Sequence, residues 1–239
     1  TTGVLPVFLN RGNKISGILS LSRKVYVAVM KLHGDSSEKE LIKVFKKFTG
    51  VIQQLVPRKS AVKRQVRPRE IYKLQFEEMK GRNVKIYVEC QAGTYVRKLI
   101  HDIGQELGFG AHMAQLERVK SGPFTLKDAH TEKKIINALK SKDEQKIRKV
   151  VIPLEKAVAE MKKVWIDDGV LKPFSYGSPI YFAGLLQFSD NIEQKDKVAI
   201  FSRKNELIGI GIAKANSKNL LTKKEGIAIR NDINLLKPK

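Results

Sequence analysis

Between residues 23 and 31 apolar and polar positions alternate, with Val25, Val27 and Val29 on one face and Tyr26 on the other, the period of a half-buried strand. The pattern then changes to a helical one. Ser37 to Glu40 reads as a capping box, Leu41, Val44, Phe45 and Phe48 form an apolar stripe, and Gly50 supplies a stop. Residues 71–77 and 84–90 read as two further strands, and 94–107 as a helix with Val96, Leu99, Ile100, Ile103 and Leu107 inward and Gly108 at its end. Residues 135–154 are helical and lysine-rich, with a break inside. Beyond 159–163 the pattern is one of short, regularly spaced strands at 164–166, 198–201, 207–213 and 226–229, with Arg203-Lys204-Asn205 as a hairpin turn. Several short strands within eighty residues predict a small β-barrel or sandwich, and the change of pattern predicts a domain boundary between 161 and 162. No internal repeat or low-complexity tract is visible.

Charge sharpens this picture. The 239 residues hold 46 Lys/Arg against 24 Asp/Glu, a formal net charge of +22. Residues 1–161 carry +16 of it and 162–239 carry +6. Such an excess predicts a polyanionic partner, either nucleic acid or an anionic membrane surface. No basic amphipathic helix with an aromatic apolar face is present, which disfavours the membrane. The longest uncharged stretch, 173–189, contains two Pro and two Gly and reads as strand and turn rather than a span. A single cysteine, Cys90, excludes an intrachain disulfide and a cysteine-cluster zinc site, and the four His (His33, His101, His112, His130) lack metal-ligand spacing. The chain opens Thr1-Thr2-Gly3 with neither Met nor a cleavable signal pattern, so a preceding N-terminal stretch is expected.

Four features are candidates for chemistry. The run from Pro57 holds Arg58, Lys59, Lys63, Arg64, Arg67 and Arg69 with no acid between, and its prolines make it a loop suited to a phosphate backbone, or else a solvated surface. Tyr95 and Arg97 fall in the first turn of the 94–107 helix. An Arg is electrostatically misplaced there, which points to a nearby carboxylate or phosphate, or else to a surface residue with a packed stem. Tyr26, on the polar face of its strand, is placed either to stack on a base or to pack. His112, after Gly110-Ala111, reads as a structural loop histidine.

Five blocks appear in order: T-G-V-L-P-V (2–7), S-R-K-V-Y (22–26), P-R-K-S-A-V-K-R with R-x-R-x-I-Y (57–72), G-T-Y-V-R-K-L (93–99) and G-A-H-M-x-x-L-x-R-V-x-S-G-P-F (110–124). Together they resemble the tRNA pseudouridine synthase B family, which includes bacterial tRNA T-loop enzymes and dyskerin, and the S-A-V-K-R and L-x-R-V-x-S-G blocks favour the archaeal dyskerin-like branch. The resemblance implies an α+β fold. A pseudouridine synthase domain over 1–161, with a mixed, largely antiparallel sheet, flanking helices and a deep cleft, would be followed by a PUA β-barrel over 162–239.

The implied reaction isomerises uridine in RNA without metal or cofactor: an Asp starts it, the glycosidic bond breaks, the uracil turns, and C5 rejoins C1′. The target base must leave its stack. Carried over residue by residue, Tyr26 stacks on the uracil and helps remove the C5 proton, Arg97 pairs with the catalytic Asp and keeps it ionised, and Leu116 lies against the flipped base. The family's Asp stands in L-D-P, a register that puts it three positions before Thr1. Asp35 and Asp102 do not match it. The chain as given is therefore expected to bind RNA without isomerising uridine, and a non-catalytic RNA-binding scaffold stands as the alternative. The branch implies a box H/ACA guide RNA, ribosomal RNA or tRNA as substrate, small accessory proteins and a cytoplasmic location. In the PUA-like part, Tyr176 and Gly177 resemble a turn where guide RNA docks, and Gly209 and Gly211 would either let an RNA backbone approach or mark bulge geometry.

Overall fold

The structure is a computed structural model and describes residues 2–57 and 62–237. The chain divides into two compact units, one of residues Thr1–Pro6 and Gly17–Lys140, the other of Val7–Ser16 and Ser141–Lys239.

The first unit is built on a seven-stranded sheet. Its elements are β1 (Thr2–Gly3), α1 (Ser16–Leu21), β2 (Lys24–Leu32), α2 (Glu38–Lys47), β3 (Gly50–Leu55), β4 (Val66–Lys80), β5 (Asn83–Cys90), α3 (Val96–Glu106), β6 (Ala111–Ser121), β7 (Phe124–Thr125) and α4 (Glu132–Lys140). The strand order is β1-β6-β2-β5-β4-β3, with β7 paired to β6. Every pairing is antiparallel except β1 with β6. Central strands β2 and β5 bury Ala28, Met30, Leu32, Val84, Ile86 and Val88, which share one core with Leu41, Val44 and Phe45 of α2 and Val96, Leu99, Ile100 and Ile103 of α3. The capping residue Ser37 accepts from the Glu40 N–H as expected, while the Glu40 carboxylate turns to the Ser36 hydroxyl instead of closing the box.

Two expectations for this unit need correction. Tyr26 does not lie on a polar face: Tyr26, Ala28 and Met30 belong to the face that packs on the core. Because β2 is flanked by β5 and β6, it is the helix-covered face, and not the run of valines, that decides what is inside. His112 is not in a loop but on β6, where it sits opposite Lys31 and shares a 2.8 Å hydrogen bond with His33. The weakly alternating A-H-M-A-Q-L-E-R-V pattern of β6 hides a strand that is half-exposed along much of its length.

The second unit contains α5 (Glu144–Arg148), β8 (Lys162–Ile166), α6 (Asp168–Ser175), β9 (Ile180–Tyr181), β10 (Leu185–Phe188), β11 (Lys197–Phe201), β12 (Leu207–Ala213), α7 (Ser217–Thr222) and β13 (Ile227–Asn234). Its six strands run in the order β10-β8-β11-β12-β13-β9, antiparallel except for β8 with β11. Residues 7–16 join this unit: Arg11 donates to the Leu235 carbonyl and Lys14 to that of Asn234. The uncharged stretch at 173–189 begins inside α6, with Pro173 in the helix's last turn, so it is helix, turn and strand. A Cβ at Gly209 would stand 2.4 Å from the Ile233 carbonyl oxygen, and one at Gly211 would stand 2.2 Å from Ile229. Both glycines are buried, and close packing together with the register shift between Ile210 and Gly211 accounts for them within the sheet.

Lys24 has an unusual place for a lysine. It is only 9% exposed, and its ammonium donates to the carbonyls of Leu19, Ser20 and Ser22 at the end of α1. The Leu19 carbonyl also accepts from the Ser22 N–H and hydroxyl, and the ammonium adds a cation at the negative end of the helix dipole. Burial, helped by the charge of Arg118, lowers this ammonium from 10.5 to about 8. Between those values the unfolded chain holds more protons, so folding stability rises with pH across the window. Lys24→Met is expected to cost about 1–3 kcal/mol in urea denaturation at pH 7, because the apolar replacement removes the ammonium's hydrogen bonds to these carbonyls. It is also expected to abolish the gain in stability between pH 8 and 10. Wild-type stability at pH 7 would count against the assigned role.

Candidate active site

The middle of the first sheet brings three side chains to one face. Tyr26 on β2 sits opposite Arg118 on β6, and two residues along Ala28 sits opposite Leu116. Paired residues in an antiparallel ladder point to the same side. Tyr26 and Leu116 accordingly pack against the same buried cluster, each half-exposed. Burial and the neighbouring Cys90 raise the Tyr26 phenol above its ordinary value, and a hydrogen bond and the positive charge of Arg118 oppose part of that rise. Cys90 is itself fully buried, and its thiol is pushed up to about 11, mainly by desolvation.

Arg118 has a second task. Its Nε donates to the Val4 carbonyl at 2.7 Å, and its own carbonyl accepts from the Val4 N–H at 2.7 Å. The chain just after Gly3 is thus fixed to β6 beside Tyr26. Gly3 makes the approach possible: its φ is +97°, and a Cβ there would stand 2.2 Å from the Arg118 carbonyl oxygen.

Arg97 comes from the turn between β5 and α3. Thr94 closes that turn by donating to the Gln91 carbonyl, and the Gln91 and Glu70 backbones are joined by a bond from the Gln91 N–H. Tyr95 is the N-cap of α3, so Arg97 is the second helical residue; it is exposed, and no ion pair to it is found among the described residues. The structure therefore presents an open guanidinium at the helix N-terminus; the carboxylate that the resemblance pairs with it lies outside this chain. Asp35 and Asp102 are committed elsewhere, Asp35 to Arg82 and Asp102 to Lys98.

The basic run is only partly a loop. Arg58 and Lys59 lie outside the described residues, and Lys63 and Arg64 are exposed ahead of β4. Arg67 and Arg69 are residues of β4 itself, paired opposite Gln54 and Ile52 of β3. Arg69 reaches the turn that carries Arg97: a Cβ at Gly93 would meet its Nη2 at 3.2 Å. Arg69 thus lies against the turn that leads to Arg97. In the second unit Tyr176 caps the end of α6 and is 61% exposed, next to Gly177 with φ +98°. The Asn234 side chain pins this corner by donating to the Phe174 and Ser175 carbonyls.

The comparisons with known proteins agree with this geometry. Residues 1–96 match the TruB family pseudouridylate synthase N-terminal domain, 97–159 the tRNA pseudouridylate synthase B C-terminal domain, and 162–234 the PUA domain. Over 241 residues the chain is 41% identical to a probable tRNA pseudouridine synthase B of Nanoarchaeum equitans, covering 99% of this chain and 69% of that protein. It is also 41% identical to the protein of the same name from Methanopyrus kandleri, of which it covers 71%. Among solved structures it is similar to a chain in a Cbf5-Nop10-Gar1 complex, with a TM-score of 0.92, 38% identity and coverage of 99% of this chain and 73% of that one. It is likewise similar to a chain of an H/ACA RNP bound to a substrate RNA containing 2′-deoxyuridine, with a TM-score of 0.91, 36% identity and the same coverage of both chains. With sequence relatives, domain order and fold in agreement along nearly its whole length, this chain belongs to the TruB family of pseudouridine synthases and carries a PUA domain.

Proposed function

We propose that this pseudouridine synthase works within a box H/ACA ribonucleoprotein and isomerises uridine in ribosomal RNA selected by a guide RNA. The observation that carries the reading is the match over 99% of the chain to proteins solved with Nop10 and Gar1 and in an H/ACA RNP bound to substrate RNA. Residues 1–161 act as the catalytic domain and 162–239 as the RNA-binding PUA domain. Accessory proteins of the Nop10 and Gar1 kind are its partners, and its compartment is the cytoplasm. No helix among the described residues is long and apolar enough to cross a membrane.

In this reading the extruded uracil lies between Tyr26 and Leu116, which already share an apolar wall. The phenol is protonated at neutral pH and stacks on the base; it takes a proton from C5 only as tyrosinate, the form that Arg118 stabilises. Arg97 supplies an open guanidinium for an anionic partner at the reacting centre. Arg58, Lys59, Lys63, Arg64, Arg67 and Arg69 follow the RNA backbone, and Tyr176 and Gly177 form a corner that meets guide RNA.

Reconstitution of the full-length protein with guide RNA, accessory proteins and a target oligonucleotide tests the assignment through tritium release from C5-labelled uridine. Release that requires the guide is expected. Release from a tRNA T-loop with the protein alone would transfer the assignment to a guide-free enzyme, and no release from either substrate would favour the scaffold. Tyr26→Phe is expected to keep RNA affinity while slowing turnover on the order of 10²-fold; full turnover would end its assignment. Replacing Lys63 and Arg64 together with Ala should weaken RNA binding and flatten the slope of log affinity against log salt by about 1–2. An unchanged slope would place these residues off the RNA.

A further inference from the structure

Gln54 is a deeply buried polar side chain in the first unit, only 2% exposed, that no part of the proposed chemistry uses. It lies on β3 on the same side as Ile52 and Val56, an inward position where an apolar residue would be ordinary. Both ends of its carboxamide are occupied by one residue. Its Oε1 accepts from the Tyr95 N–H at 2.8 Å, and its Nε2 donates to the Tyr95 carbonyl at 3.1 Å. The side chain therefore pairs with the Tyr95 backbone as a neighbouring peptide group would in a ladder.

Tyr95 is a consequential residue to hold. It is the N-cap of α3, in an extended conformation, and its own side chain provides no cap. Its carbonyl also receives the first helical bond, from the Leu99 N–H at 3.0 Å. The carboxamide from β3 thus braces the N-cap residue through its own N–H and carbonyl and fixes the point where the helix begins. Arg97 follows two residues later, and its guanidinium has nothing among the described residues to hold it. An exposed arginine is placed only as well as its backbone, so the Tyr95 backbone sets the origin from which Arg97 reaches.

We infer that Gln54 is a positioning residue for uridine isomerisation: by clamping both backbone polar groups of Tyr95 it fixes the start of α3 and hence the reach of Arg97 toward the reacting centre. The inference rests on the role given to Arg97 under the proposed function. A shift of about 1 Å in a reacting group costs on the order of 10²-fold in rate. Gln54→Met keeps volume and removes both hydrogen bonds, and Gln54→Glu keeps the acceptor. The carboxylate of Gln54→Glu faces the Tyr95 carbonyl with no proton, whereas its protonated form restores a donor there.

The test uses the full-length protein in its reconstituted RNA complex, below the melting temperature of every variant, with single-turnover rates at saturating RNA and separate measurement of RNA affinity. Gln54→Met is expected to lower the rate ~10–100-fold with RNA affinity within about twofold of wild type. Gln54→Glu is expected to be impaired at pH 8 and to recover toward the wild-type rate as the pH falls and the buried acid gains its proton. A merely structural glutamine would lower melting temperature and affinity together and would show no recovery at low pH. Arg97→Ala runs in parallel. If it slows turnover while Gln54→Met does not, the positioning role is overturned and the proposed function stands. If Arg97→Ala leaves turnover intact, the reading of Arg97 fails first. Should Gln54→Met fail to fold, the pH profile of Gln54→Glu decides alone: a rate ratio to wild type that is constant with pH overturns the inference.

Discussion

One guanidinium serves three strands. Arg118 stands on β6 between β1 and β2, gives a hydrogen bond to the Val4 carbonyl, sets its positive charge beside the Tyr26 phenol, and receives the Val4 N–H at its own carbonyl. Its position is half-buried, where hydrogen bonds from a charged donor are stronger than at the surface. The short parallel pairing of β1 has only two residues in register, too few to hold an edge by ladder bonds alone. The arginine supplies the remaining attachment, and in doing so it fixes the phenol and the chain after Gly3 with the same group.

The surroundings of that group explain its neighbours. Lys24 and Arg118 are close enough for their charges to repel, which helps depress the Lys24 ammonium. The sheet accepts two cations there because the lysine's charge goes to three carbonyls at the end of α1 and the arginine's to a carbonyl and a phenol. Both cations are thereby spent on fixing backbone and side chains, whereas Arg97 is left open and Lys63 and Arg64 ahead of β4 are exposed. Inside the sheet, positive charge holds the machinery in place; outside it, positive charge is available to a phosphate backbone.

How much of this was legible in the sequence depends on whether a residue's role is local. The stripe of α2 and the inward residues of α3 were readable because a helix writes its buried face at a fixed spacing. The blocks around Tyr26, Arg97 and Leu116 carried the family, and the conformation-setting Gly3 lay within one of them. Arg118 was inside the L-x-R-V-x-S-G block, but nothing local distinguishes it from any strand arginine; only the meeting of β1, β2 and β6 gives it partners. The inward face of β2 was misread because the valines outweighed a Tyr-Ala-Met face whose burial comes from helices elsewhere in the chain. Gln54 left a faint signal, a polar side chain in phase with Ile52 and Val56, though its partner is 41 residues away. The glycines of β12 look like openings for a ligand or bulge positions in sequence and prove to be sites of close packing.

Arg118 is the shared anchor of Tyr26 and the β1 segment. The direct measurement is the single-turnover rate of uridine isomerisation by full-length Arg118→Met in its reconstituted RNA complex, at saturating RNA and below its melting temperature. A fall on the order of 10²-fold with RNA affinity preserved is the predicted result. A rate equal to that of the wild-type protein would contradict it.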